Sequence, residues 1–171
     1  MASAGSPHLS VEVLDTHHDR KIFTCGNVEL DRYLIRQAGQ DIRKHVTATF
    51  VLVEKKSPTV LGYYSLSATS IQLSVLPERI IKKLPKYPLL PAILLGRLAV
   101  EKTHHGMGYG QILLIDALNR CMNTHDIGWV AVIVDAKDEQ AVNFYEHHHF
   151  IRLSPTAQRL FLPRSTIASL F

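Results

Sequence analysis

The sequence predicts a mixed α/β fold: a central mixed sheet with helices on its faces. Three observations predict it. Two near-continuous apolar runs, "AILLGRLAVE" (Ala92–Glu101) and "WVAVIVDA" (Trp129–Ala136), have the composition of strands buried on both faces. Each is followed closely by a segment of helical periodicity. Upstream lie segments rich in β-branched and aromatic residues, so the order reads strand, helix, three strands, helix, strand, helix, two strands.

"LSVEVL" (Leu9–Leu14) alternates and reads as a short strand. Asn27–Val46 reads as a helix, with Leu30, Leu34, Ala38 and Ile42 recurring every fourth residue and Glu29 and Asp31 in its first turn. Arg32, Arg36 and Arg43 fall close together on its opposite, basic side. "TATFVLVE" (Thr47–Glu54) and "TVLGYYSLSATSIQL" (Thr59–Leu73), separated by "KKSP", predict a hairpin. Pro77–Lys83 predicts a short helix opened by proline, and "KYPLLP" a loop before the Ala92–Glu101 strand. The next helix runs from about Gly108 to Asn123, with Asp116, Asn119, Arg120 and Asn123 as its polar side. After Trp129–Ala136, Lys137–His148 is helical in pattern, and "FIRL" and "RLFLP" are two closing strands.

At 171 residues the chain is expected to be one domain over 1–171, long enough to bury a core without disulfides or metals. Residues 1–8 are expected to be flexible or vector-derived, because "MASAGSPHLS" has no apolar centre. Cys25 and Cys121 form no CxxC and are expected to be inert core thiols. "PLLPAILLGRLAV" is too short to span a bilayer and is broken by Pro88, Pro91 and Gly96, so an intracellular protein with no membrane partner is expected. A net charge of +4 permits a polyanionic partner such as RNA without requiring one. Most of the ten histidines fall in "THHD", "THH" and "EHHHF". Adjacent side chains diverge and no HExxH spacing occurs, so these are expected at the surface and no metal is expected.

"HHGMGYGQILLIDAL" (His104–Leu118) is the most informative stretch: a glycine-rich turn between a buried strand and a helix. The first N–H groups of a helix lack internal partners and its dipole favours negative charge, so this is anion-site chemistry. Glycine lets a phosphate reach the main chain with no Cβ in the way. No Lys follows as in a P-loop, and Gly106, Gly108 and Gly110 are spaced two apart, unlike the dinucleotide GxGxxG; a flavin or nicotinamide enzyme is disfavoured. By itself the run equally suits a plain tight turn.

"LAVEKTHHGMGYGQILL" resembles motif A of the GCN5-related N-acetyltransferases, the GNAT family, whose Arg/Gln-x-x-Gly-x-Gly/Ala positions fall on His105, Gly108 and Gly110. "DEQAVNFYEHHHF" resembles the family's "xFYxxxGF" helix, and the element order matches from Leu9 to Pro163. The resemblance implies the GNAT acyl-CoA fold, with helices on both faces of the sheet, and acetyl-CoA as cosubstrate. Leu98, Ala99 and Val100 would face the pantetheine arm. The amides of His105, Gly106, Met107, Gly108, Tyr109, Gly110 and Gln111 would hold the pyrophosphate. Asp138 stands where many members carry an Asn near the pantetheine. His105 replaces the usual Arg or Gln, and His149 the usual Gly, at a position expected to be left-handed.

"GRLAVEKTHHGMGYGQILL", "GYYSLSATSI" and "FTCGNVELDRYLIRQA" narrow the resemblance to the GNAT toxins of bacterial type II toxin–antitoxin modules. Those act in the cytoplasm, acetylate the α-amine of aminoacyl-tRNA, and pair with a ribbon-helix-helix antitoxin; a homodimer is implied. A neutral α-amine is easily available, since such groups titrate near 7.7–8.0, whereas lysine near 10.4 needs a strong base. No obvious Glu or Asp base accompanies the motifs. Tyr145 is the candidate acid for the departing thiolate, and a main-chain N–H at Val100 or nearby the candidate oxyanion donor. Candidate tRNA contacts are Arg32, Arg36, Arg43, Lys44, Arg79, Lys82, Lys83, Lys86 and Arg97. The alternatives are a GNAT enzyme that acetylates a small amine or a protein N-terminus, and a non-catalytic CoA- or RNA-binding regulator.

Overall fold

The computed structural model describes residues 7–171. The expectation for residues 1–8 therefore lies, up to Ser6, outside the described residues. The strands are β1 (Leu9–Val13), β2 (Ala48–Glu54), β3 (Gly62–Gln72), β4 (Leu89–Val100), β5 (Ala131–Asp135), β6 (Ile151–Arg152) and β7 (Arg159–Pro163). They form one mixed sheet in the order β1-β2-β3-β4-β5-β7-β6. β4 and β5 run parallel, while β1–β2, β5–β7 and β6–β7 are antiparallel.

The expected helix over 27–46 is instead α1 (Val28–Arg32), a π-helical turn (Tyr33–Gln37) and α2 (Ala38–Arg43). The four-residue apolar spacing explains this. On a regular helix such a stripe drifts by about 40° at each step, and a wider π turn absorbs the drift. Leu34 and Ala38 are consequently fully buried, with Leu30 and Ile42 packed at the margin of the same cluster. Asn27 caps the start by accepting from the N–H groups of Glu29 and Leu30, 3.1 Å each. The segment stops at Lys44 and His45, the latter at φ 58°, so Val46 lies beyond it.

"KYPLLP" is not wholly a loop, because β4 already begins at Leu89 and includes Pro91. Leu90 (2 % exposed) is drawn into the core, and that burial outweighs the donor which proline removes from the strand. The remaining helices are α3 (Glu78–Ile81), entered through Pro77, then α4 (Tyr109–Met122), α5 (Glu139–His147) and α6 (Arg164–Ala168). The last of these has no counterpart in the sequence reading, being a single short turn-rich element with little periodicity to detect.

By contacts the chain divides into two compact units, and β3 and β4 contribute to both. The first runs from the described N-terminus to Ser65 and includes Arg97–Asp116. Alternation sorts its strands. Val51, Val53, Tyr63 and Ala99 pack with Leu34 and Ala38 on the side of the 28–43 helical segment. On the other side the Tyr64 ring stacks on Phe50, and its hydroxyl donates to Asp116 of α4 at 2.5 Å. A Cβ on Gly62 would meet Leu113 of α4 at 2.9 Å, so glycine admits that helix against the strand. Helices thus cover both faces here. The second unit, Leu66–Gly96 with Ala117–Phe171, has its own cluster of Ile71, Leu90, Ala92, Ala131, Ile133 and Phe161. No helix among the described residues is long and apolar enough to cross a membrane.

Candidate active site

In the first unit, β4 hands over to a single 3₁₀ turn (Lys102–His104), and the glycine segment leads from there into α4. Gly106 and Gly108 have φ of 78° and 81°, conformations that favour glycine, and a Cβ on either would meet nothing within 4 Å. The third glycine, Gly110, lies within the first turn of α4. No described residue accepts a hydrogen bond from the main-chain N–H groups of Gly106 through Gln111. The carbonyl of Gly108, just ahead of α4, receives Ile112 N–H at 3.2 Å. An open row of donors at a helix N-terminus is what a diphosphate requires.

His105 differs from the rest of that row. Its N–H is turned to Lys102 O at 3.4 Å, and its ring Nε2 lies 2.8 Å from the carbonyl of Val100. As donor to that oxygen the ring ties the turn to the end of β4. The expected side-chain approach to phosphate is therefore replaced by a structural contact, because a main-chain acceptor lies within reach. Glu101, which the sequence reading passed over, organises the other side. Its carboxylate accepts from Thr103 N–H (2.9 Å), Thr103 Oγ1 (2.5 Å) and His104 Nδ1 (2.7 Å). Burial would raise this carboxyl, but the Thr103 and His104 hydrogen bonds prevail and hold it below its ordinary value. His104 then stacks on Tyr109 with ring centroids 5.4 Å apart, burying that tyrosine at the start of α4. Glu101 is the N-cap of the 3₁₀ turn, and glutamate is not among the preferred capping residues, so no local signal marked it.

Leu98, Ala99 and Val100 form the end of β4, Ala99 buried and its neighbours half-buried. The β4–β5 ladder covers only Ile93–Leu95, and β4 continues beyond it to Val100.

Tyr145 and Asp138 belong to the second unit. Tyr145 is 7 % exposed on α5, packed edge-on against Phe144 and Phe150 with centroids 5.2 Å away in each case. Burial raises its phenol above the ordinary value, and no described residue bonds its hydroxyl. Asp138 is the N-cap of α5, accepting from Ala141 N–H at 2.8 Å. That role explains a carboxylate where the resemblance led one to expect an amide: the cap needs only an acceptor. His149 is left-handed at φ 73°, as expected.

The basic residues divide. Arg32, Arg36 and Arg43 are exposed on the 28–43 segment, and Lys44 is exposed at its C-cap. The Arg43 guanidinium comes beside Gly39 together with that of Arg20, which also donates to Leu34 O at 3.0 Å and was not anticipated. Arg97 is not on an exposed face: half-buried, it lies over the Tyr33 ring, 3.4 Å from the centroid. In the second unit Lys86 donates to Ile81 O at 2.6 Å and Lys82 is the C-cap of α3, while Arg79 and Lys83 line an apolar cavity.

The histidines are not uniformly at the surface. His18 is 5 % exposed, and the ring of adjacent His17 lies tilted against it with centroids 4.0 Å apart. A tight turn makes the two side chains converge, and with Glu12 their ligand atoms lie within 4.8 Å of one another. His18 Nδ1, however, accepts the Asp15 N–H at 2.9 Å, so the ring proton sits on Nε2, 2.9 Å from Glu12. A cation on Nε2 would have to displace it. Cys121 is pushed up to about 12 by burial, in keeping with an inert thiol.

Several known proteins similar to this chain are named as toxins. The chain is 31% identical over 179 residues to the probable toxin TacT of Sinorhizobium fredii, across 99% of each chain. It is 36% identical over 136 residues to a tRNA-acetylating toxin of Mycobacterium tuberculosis, across 78% of each. Among solved structures, AtaT complexed with acetyl-methionyl-tRNAfMet superposes with a TM-score of 0.87 at 30% identity, covering 95% of this chain and 99% of that one. A Tyr-to-Phe mutant of AtaT bound to acetyl-CoA and to the C-terminus of the antitoxin AtaR gives 0.80 at 27% identity, covering 95% and 98%. A profile of the acetyltransferase (GNAT) family matches residues 27–150, most of the fold and all of the glycine turn. With its free amide row at the head of α4, this chain belongs to the GNAT acetyltransferase family.

Proposed function

We propose that the chain transfers the acetyl group of acetyl-CoA to the α-amino group of an aminoacyl-tRNA, and so blocks translation as a cytoplasmic bacterial toxin. The row of unbonded N–H groups from Gly106 to Gln111 carries this reading. Its open glycines fit a diphosphate, and the tRNA-acetylating activity named for relatives supplies the acceptor.

Acetyl-CoA brings an activated thioester, and the residues of this chain bind it and manage the protons. Leu98, Ala99 and Val100 offer main-chain groups to the pantetheine, and the amides of Gly106–Gln111 take the diphosphate. His105 acts by holding that turn to Val100 O. A Val100 N–H steadies the oxyanion as the amine attacks. Tyr145 gives its proton to the leaving thiolate: buried and unbonded, the phenol stays protonated throughout the physiological range. Arg97 and the exposed Arg32, Arg36, Arg43 and Lys44 receive tRNA phosphates. The partners are a ribbon-helix-helix antitoxin and a second copy of the chain, with 1–171 acting as a single GNAT domain. The antitoxin segment held by AtaT supports the first of these.

The test is incubation with acetyl-CoA and total charged tRNA, followed by mass analysis of the aminoacyl ends. Acetylated aminoacyl ends are expected. Turnover of small amines with every aminoacyl end unmodified would overturn the assignment.

A further inference from the structure

Within the second unit, α3 and the turn after it, the start of β5, the end of β7 and the start of α6 enclose a cavity of about 460 Å³. Its walls are apolar: Leu76 and Phe161 are buried, and Ile80, Leu84 and Ile151 are partly buried around them. Trp129 closes one side at 4 % exposure. Three cations, Arg79, Lys83 and Arg164, line the same cavity, and no Asp or Glu does. None of the three pairs with a carboxylate among the described residues. Arg164 is held in place over the Trp129 ring, 4.4 Å from its centroid.

We infer that this groove is a docking site for an acidic amphipathic helix of a protein partner, its apolar side chains entering the cavity and its carboxylates meeting Arg79, Lys83 and Arg164. The volume falls in the range of specific binding pockets, and an apolar anchor with a charged rim is how an amphipathic helix is recognised. Nucleic acid fits less well. Most of the lining is apolar side chain that a phosphate backbone would leave unfilled, and its two aromatic rings, Trp129 (beneath Arg164) and Phe161, are both buried and closed to base stacking. A two-fold pairing of this groove with itself would set its unpaired cations against identical ones. The inference stands apart from the acetyl-transfer reading, and its test does not measure catalysis.

A displayed library of amphipathic helices, with free choice at charged and apolar positions, is selected on the full chain and counter-selected on an Arg79→Glu/Lys83→Glu variant. Both sites are exposed, so the variant should fold, and circular dichroism checks that it does. Enrichment of helices with Glu or Asp flanking Leu-type residues is expected. A selected peptide should then shift the emission of Trp129, the single tryptophan of the chain. The double reversal should weaken it by about tenfold or more, and a Lys-faced version of the same peptide should recover binding to the reversed protein. The inference fails if no acidic preference emerges, if replacing the peptide's apolar face with Ser leaves affinity unchanged, if an acceptor-stem RNA duplex competes for the Trp129 signal, or if sedimentation shows that the double reversal dissolves a dimer.

Discussion

The guanidinium carbon of Arg97 rests 3.4 Å from the centroid of the Tyr33 ring. Tyr33 is itself fixed: its hydroxyl donates to Asp41 at 2.9 Å and lies 3.0 Å from Thr47 Oγ1, and its ring is stacked with Tyr63. The Arg97 side chain has no ion pair or hydrogen bond among the described residues. A flat, half-buried guanidinium with its donors unspent, three residues before Val100 on β4, is ready for an anion. A stacked cation of this kind is worth about 0.5–2 kcal/mol.

Arg97→Ala should therefore raise KM for charged tRNA by about tenfold, leave KM for acetyl-CoA near its original value, and flatten the salt dependence of tRNA binding by about one phosphate contact. Arg97→Lys keeps the charge but loses the planar fork, and should fall between. Filter binding across a salt series measures this; an unchanged slope in Arg97→Ala would remove Arg97 from the tRNA site.

Tyr145→Phe deletes one oxygen that no described residue bonds, so the fold should be unharmed and the melting temperature nearly constant. Loss of a general acid lowers kcat by about 10²–10⁴-fold, with both KM values little changed. Burial raises the phenol pKa, so the neutral form is favoured in the fold. Its stability contribution is complete below the ordinary value near 10 and is lost only as pH climbs above it. The kcat profile should accordingly show no alkaline fall attributable to Tyr145 up to about pH 10. Equal kcat in the Phe variant would refute the acid role.

Gly108→Ala separates backbone strain from occupancy. Nothing lies within 4 Å of the added methyl, so no clash with the protein follows, but φ of 81° costs an L-residue about 1–2 kcal/mol. A chain of this size should lose a few degrees in melting temperature at about 2–4 °C per kcal/mol. If the open side of Gly108 is where the diphosphate lies, KM for acetyl-CoA should rise further than that strain predicts, while KM for tRNA holds. Gly26→Ala, another left-handed glycine with open space around it, is the control for strain alone. Matching effects of the two variants on acetyl-CoA binding would argue against the turn as a phosphate site.

Strong, local signals made most of this fold legible. The buried runs that became β4 and β5, and the helix after the glycines, were readable because apolar composition and periodicity persist over many residues. The N-terminal helix was readable in position but not in form or at its C-terminal end, since a four-residue spacing looks helical whether or not a π turn corrects it. Open amides were expected from His105 to Gln111 from the glycines together with the family resemblance; those of Gly106–Gln111 are open and that of His105 is not. Side-chain geometry was not legible: that His105 turns to Val100, that Arg97 lies on Tyr33, and that His17 and His18 converge all depend on loops and long-range packing that no short window encodes.

Glu101 offers the last prediction, because it ties the acid stability of the glycine turn to three named bonds. Its carboxyl is held below its ordinary value of 4.5, burial being outweighed by the hydrogen bonds from Thr103 and His104. A depressed value means that the ionised form is favoured in the fold. The stabilisation is thus fully present above pH 4.5 and disappears as pH falls through the lower, folded value. Glu101→Gln keeps the shape but loses the charge that draws in His104, so the His104–Tyr109 stack over the start of α4 should loosen. At pH 7 the variant should melt below the wild type and protect the amides of Gly106–Gln111 from exchange less well in the presence of acetyl-CoA. As pH drops below 4.5 the two melting curves should converge, since the wild type then loses the same charge. Melting curves that stay equally far apart at both pH values would mean that the Glu101 charge does not order this turn.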